Sequence, residues 1–251
     1  MTSIPGRRRQ KFYEKKAVVE AFAIVPPIAM GLVTAAINIR DPEKRTFGWL
    51  LVAAIVWLSI ASVVKVLNAY AQDREQRERR EYEGLLAALH VLRELVVTRA
   101  GVEDEAGRLR ATIHRVVPGS GPGKAPEELE QLLPYLGGSG DGAGRHFSIR
   151  SGIIGKAVRE KSAFAAARQS DDYNAFVTEL VRDWSYTEED ARKLSADRRA
   201  WMAVPIFGSK SAVVAAAFLD SNDTNFFTPE VQQLIIDTCG GIASYVKEVY
   251  R

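Results

Sequence analysis

One cysteine, Cys239, and three histidines, His90, His114 and His146, are the only thiol and imidazole groups in 251 residues. A single thiol forms no internal disulfide and builds no Cys-rich zinc site. The histidines stand far apart, without the short spacings of a local metal site, so no metal ligand set is expected. Charge is also scarce in net terms, with 34 Lys and Arg against 31 Asp and Glu. That balance is too slight to argue for a nucleic-acid partner, and none is expected. Enzyme signatures are missing as well: there is no nucleophile elbow, no helix-borne His pair and no close Cys/His combination. The stretch "PGSGPGKA" has the Gly-Lys pair of a phosphate loop, but Pro118 stands where the first glycine belongs and Ala125 where the hydroxyl belongs. "GGSGDGAG", Gly137 to Gly144, opens no helix and fits no dinucleotide fingerprint. The acidic runs Asp171-Asp172 and Glu188 to Asp190 fall at helix starts, where the helix dipole favours them. No catalytic residue is assigned, and no enzyme activity is expected.

What the chain has in quantity is apolar sequence at its N-terminal end. Ala21 to Ile39 and Thr46 to Val64 are each 19 residues without a charge. About 20 apolar residues at 1.5 Å each span a bilayer core. The two runs therefore predict transmembrane helices over 21–39 and 46–67, joined as an antiparallel hairpin by the short polar loop "RDPEKR". Pro26 and Pro27 predict a kink in the first. Basic residues near the helix ends set orientation. Six lie in the tail of residues 1–20 and five between Lys65 and Arg80, against three in the loop. Both termini are thus expected in the cytoplasm, with the protein multi-pass in an inner or plasma membrane.

Residues 70–97 then turn helical and highly charged. Tyr82, Leu85, Leu89, Leu92 and Val96 are spaced 3, 4, 3, 4, the a/d seam of a coiled coil, but over only about two heptads. The seam reads either as a parallel dimer stalk or as the first helix of the following domain packed on its own sheet.

Residues 98–251 read as one α+β domain. Strands are expected at Leu109 to Val117, within "QLLPYLGG" (131–138), at "RHFSIR" (145–150), "AWMAVPIF" (200–207) and "SAVVAAAFLD" (211–220), the last two joined by a "GSKS" hairpin turn. Helices are expected at 171–184 and 188–196. A long amphipathic helix closes the chain, with Thr228 as N-cap and Pro229 at the first helical position.

The ordered motifs "SGIIGKAVREKSAF", "MAVPI", a hairpin strand ending in Asp220, and Phe227-Thr228 opening the last helix resemble the GAF domain family. Gly152 and Gly155 match its Gly-x-x-Gly helix start; Ser151 is the expected cap, and Gly155 allows close approach to the sheet. The resemblance covers about 140 residues. It implies a GAF-like antiparallel sheet with flanking helices and a small-molecule sensory role. Within that family the covalent-bilin and methionine-sulfoxide-reducing subtypes need cysteines that this chain lacks in the right place. The Asn-Lys-x-x-Phe signature of cyclic-nucleotide members is missing, and His146 is the lone candidate for a haem ligand near the pocket mouth. No cofactor follows.

The resemblance points to a ligand-binding group of Phe147, Ile149, Tyr173, Phe176, Trp184, Arg198, Arg199 and Trp201. The aromatics offer stacking surface to a nucleotide-like or heteroaromatic ligand. The two arginines, read as exposed, are placed to meet an anion. Three functional readings stand side by side at this point. One is a membrane-anchored sensor that signals through the helix at 70–97 by rearranging a homodimer or higher oligomer. Another is a second-messenger-activated effector that disrupts the membrane. The third is a ligand-free dimerisation scaffold.

Overall fold

The computed structural model describes residues 44–101, 107–119, 124–138, 142–208 and 211–249, together with Ala29 and Gly31. The expected first span, 21–39, and the basic tail, 1–20, lie outside the described residues, so the two-helix hairpin and its multi-pass topology rest on sequence alone. The rest divides into two compact units, with the boundary in sequence between Arg80 and Glu81.

In the first unit the described residues, Ala29 and Gly31 aside, form the leading part of one continuous helix, α1, Lys44–Ala100. From Val52 this helix contains a window of mean hydropathy 1.9 with hardly any of it buried. Val52, Ile55, Val56, Ile60, Val63 and Leu67 are each exposed. This is one helix long and apolar enough to cross a membrane. There is no break where the linker was expected to begin.

The second unit begins with the same helix from Glu81. Its sheet has six strands: β1 Leu109–Val117, β2 Glu128–Gln131, β3 His146–Ser148, β4 Phe164–Ala167, β5 Ala200–Phe207 and β6 Val213–Ser221. They lie in the order β3-β2-β1-β6-β5-β4, and every neighbouring pair is antiparallel. Among the described residues the unit has four more helices: α2 Gly152–Glu160, α3 Tyr173–Trp184, α4 Glu188–Ala191 and α5 Pro229–Val249.

Strand alternation gives the sheet two unlike faces. On the first, Leu109, Ala111 and Ile113 of β1 join Met202, Val204 and Ile206 of β5 and Ala215, Ala217 and Leu219 of β6. Against them pack Leu85, Leu89, Leu92 and Val96 of α1 and Val231, Ile235, Cys239 and Ile242 of α5. The seam of α1 is therefore buried inside its own domain, with Leu89, Leu92 and Val96 fully enclosed. Thr228 caps α5 as expected, its hydroxyl accepting from the Val231 amide at 3.4 Å.

The second face carries the alternate residues of the same strands. Register places Arg110 opposite Asp220, Thr112 opposite Phe218 and His114 opposite Ala216, with Gln131 on the other side of His114. On β5, Trp201 pairs with Asp220 and Ala203 with Phe218. Helix α2 lays Ile153 and Ala157 against Ala203 and Phe218, and α3 gathers Phe176, Val177 and Leu180 around Ala191.

Several local expectations change. The strand expected within 131–138 ends at Gln131; the chain still bonds β1 through the Leu132 and Leu136 amides, but Pro134 between them has no N–H to continue a ladder. Strand β4 was not anticipated, because its "FAAA" sequence carries little β-propensity. The helix over 188–196 is a single turn, with only Ala191 buried. Ser151 occupies the N-cap of α2 in extended backbone but makes no side-chain capping bond. The glycines do the work there. Gly152 has φ +76°, and a side chain on it would run into the Tyr186 hydroxyl; one on Gly155 would meet the Ile149 carbonyl.

Candidate functional site

The residues singled out from sequence do not form one cluster; they divide into three groups on the second face. The first is aromatic. Phe176 is fully buried and stacks on Trp201, centroids 5.6 Å apart and rings 5° from parallel. Tyr173 lies 6.4 Å from Phe176 and donates from its hydroxyl to the Arg192 carbonyl at 2.9 Å. Trp184 packs against both clusters that contain Trp201 and has the Lys156 ammonium 5.2 Å above its ring. Arg168, not anticipated from sequence, closes this group. It is almost completely buried, donates to the carbonyls of Ser170, Ala196 and Asp171, and lies 4.6 Å over the Phe176 ring. These side chains pack against one another between α3 and β5.

The second group is charged. Arg198 was expected to be exposed and is instead buried, a correction with a clear cause. Its guanidinium donates to the Gly107 carbonyl at 2.5 Å and to Asp197 at 2.8 Å, and lies 3.5 Å from Asp220. Its Nε is buried with no partner. Asp220 also takes a bidentate pair of bonds from Arg110, both 2.8 Å, across the β1–β6 register. Burial pushes the Asp220 carboxyl upward, against the opposing pull of Arg110 and Arg198. The Arg110 guanidinium lies 4.7 Å over the Tyr135 ring, and burial followed by the Asp220 charge raises the Tyr135 hydroxyl. Tyr186 is pushed up to about 12, chiefly by burial. Both phenols are therefore neutral at ordinary pH. Arg199 differs from its neighbour: it is solvent-facing and paired with Asp171 at 2.5 Å.

The third group surrounds His114. Phe147, on edge strand β3, is 41% exposed and meets the His114 ring edge-on at 5.4 Å. Phe218 does the same from β6 at 6.1 Å. Ile149 is buried nearby with Leu129, Val158 and Ala216, and its carbonyl accepts from Arg159. His114 is fully buried, and burial alone lowers its imidazole to about 3. His146, by contrast, is an exposed edge residue 3.1 Å from Glu128.

Sequence reasoning missed Arg110, His114, Gln131 and Arg168. A signal for the first two was present. In "LRATIHRVV" the polar residues Arg110, Thr112 and His114 alternate with apolar ones, which marks a strand with a polar side. The burial of His114 follows from β6 and β2 pairing on either side of β1 and from the Phe147 and Phe218 rings against it, and that is a tertiary matter. A cavity of about 320 Å³ lies elsewhere, lined by Arg99, Asp223, Asn225 and Glu230 among others. Among the described residues no group of three or more His, Cys, Asp or Glu side chains is placed to hold a metal ion.

No family model matches the chain, and no curated protein matches it in sequence. Solved structures of similar fold include the GAF domain/HD domain protein from Geobacter sulfurreducens, at 14% identity over 68% of this chain and 94% of that one, TM-score 0.46. They also include the GAF domain of a phosphoenolpyruvate-protein phosphotransferase from Acinetobacter, at 8% identity, 70% and 94% coverage, TM-score 0.45. A third is the type II free methionine-R-sulfoxide reductase from Thermoplasma acidophilum, at 13% identity, 69% and 96% coverage, TM-score 0.46. This third likeness corrects the expectation that the chain is not an enzyme. In this chain Cys239 is buried in α5 and its thiol is pushed up to about 12 by that burial.

Proposed function

We propose that this chain is a membrane-attached sensor in which a GAF-like α+β domain receives a small molecule on the second face of its sheet and passes the change to helix α1. The observation that carries the proposal is the double character of α1. Its leading half presents apolar side chains to its surroundings over a membrane-length window. From Leu85 onward the same helix supplies core residues to the first face of the sheet. A ligand that shifts strands β1, β5 or β6 thereby acts on residues packed directly against α1. A ligand moves such an equilibrium only by binding one arrangement better than the other. Self-association remains part of the proposal. With the seam buried, it falls to the other side of α1, where Val91 and Leu95 are exposed.

A second reading, the ligand-free scaffold, is favoured by one observation: the Phe176–Trp201 stack fills the space in which the aromatic ligand site was expected. Alkaline carbonate extraction of membranes carrying the full chain tests the attachment. The protein is expected to stay in the membrane pellet, as a spanning helix does. Quantitative release into the supernatant would contradict the proposal.

A further inference from the structure

Buried polar groups in folded proteins find hydrogen-bond partners, and each exception asks for an explanation. Two exceptions sit side by side on the second face. His114 is fully buried with both ring nitrogens unpartnered, and Gln131 is fully buried with Oε1 unpartnered. They are register partners across β1 and β2, so their side chains rise from one face with Cβ atoms about 5 Å apart. The Gln131 amide cannot turn freely, because Nε2 donates to the Leu133 carbonyl at 2.9 Å. That bond leaves Oε1 as the acceptor on offer. Gly142, at φ +107°, lies so close over this amide that a Cβ there would sit 2.6 Å from Nε2. Two aromatic rings, Phe147 and Phe218, meet His114 edge-on, and Phe147 is open to solvent on the edge strand.

We infer that His114 and Gln131 recognise the polar edge of a small, planar, uncharged ligand that carries an N–H beside a C=O, as in a lactam, a cyclic imide or an oxo-heterocycle. This assignment rests on the reading that the second face receives a small molecule. A neutral imidazole has one donor and one acceptor nitrogen, and a primary amide oxygen accepts. The ligand C=O takes the imidazole N–H, and the ligand N–H donates to Gln131 Oε1. Its ring edges lie against Phe147 and Phe218, whose faces and edges suit flat partners. Charge is disfavoured for two reasons. The cost of burying an ion is repaid only by a counter-ion or a dense set of hydrogen bonds. No ionised group contributes to the shift of His114, which burial alone holds neutral. Of the charged residues on the same face, Arg110 and Asp220 bond each other, and Arg198 is held by the Gly107 carbonyl and by Asp197 beside Asp220.

The test uses the full chain in a neutral detergent and follows its thermal midpoint by tryptophan fluorescence. Uracil and glutarimide supply the neutral N–H and C=O edge, 1,3-dimethyluracil keeps the shape without the N–H, and benzoate and AMP are charged. Uracil or glutarimide at millimolar concentration is expected to raise the midpoint, with no rise from 1,3-dimethyluracil. Gln131→Met and His114→Leu are each expected to abolish the rise; should His114→Leu fail to fold, Gln131→Met carries the test alone. An equal rise with 1,3-dimethyluracil, or a rise that survives in Gln131→Met, overturns the assignment. A rise with AMP or benzoate only overturns it while leaving small-molecule sensing intact. No rise with any probe overturns both.

Discussion

Replacing His114 by leucine should change how the stability of the domain depends on pH, and the size of the change follows from the burial of the ring. An ordinary histidine titrates at 6.5, and in the folded chain burial lowers His114 to about 3. Between those values the unfolded chain binds a proton that the folded chain does not. The contribution of the neutral ring to stability is therefore complete above pH 6.5 and is lost as pH falls toward 3. Each pH unit in that window removes about 1.4 kcal/mol, so the loss is about 3 kcal/mol at pH 4.5 and about 5 kcal/mol at the lower limit. Asp220 acts with the opposite sign, because its raised carboxyl binds a proton more readily in the folded state; it is present in both proteins and cancels in the comparison. Leucine has no proton to take up and no unpartnered nitrogen to bury, so at pH 7 the variant should be at least as stable as the parent. Urea unfolding of both full chains in a neutral detergent, at several pH values from 7.5 to 4.5, reads the difference directly. The parent should lose about one proton's worth of stability per pH unit more than His114→Leu. Parallel pH profiles would show that the ring is hydrated or hydrogen-bonded in the folded protein and would refute the reasoning.

Asp220→Ala should cost about 3–5 kcal/mol in denaturant unfolding, because it strands the Arg110 and Arg198 guanidinium groups without their shared carboxylate; Arg199→Ala, which removes a solvent-facing pair, should stay within about 0.5 kcal/mol. Leu89→Ala should cost about 2–5 kcal/mol and leave the sedimentation mass unchanged, since Leu89 is fully buried within its own domain; a lower mass at unchanged stability would place the seam between chains. Gly155→Ala should destabilise by about 1–3 kcal/mol, because the new methyl meets the Ile149 carbonyl, and a neutral result in thermal unfolding would contradict that packing.

Much of the fold was legible because the chain states it locally. The hairpin β5–β6 is announced by alternating and apolar strands around a short polar turn, and α5 by its cap and first-turn proline. The apolar run after Thr46 and the charged heptads after Tyr70 were also plain, but their fusion into one helix was not. Nothing in the sequence near residues 68 and 69 breaks a helix, and the expected division there reflected a change of composition only. The seam of α1 was ambiguous for a physical reason: 3-4 spacing buries a helix against a sheet as readily as against a second helix. The site was less legible. Aromatic residues drew attention because of their area, yet Phe176 and Trp201 use that area on each other. Arg198 looked solvated because it follows a charged stretch, and only the tertiary fold brings the Gly107 carbonyl and Asp220 to it. His114 and Gln131 are 17 positions apart by number and become neighbours only through the β1–β2 register.

The central proposal, that this chain is attached to a membrane and takes up a small molecule on the second face of its sheet, is tested most directly by native mass spectrometry of the full chain released from lipid nanodiscs. The account predicts a parent protein carrying a small neutral adduct that is absent from Gln131→Met purified in the same way. A parent protein of bare mass, or the same adduct retained in Gln131→Met, would contradict it.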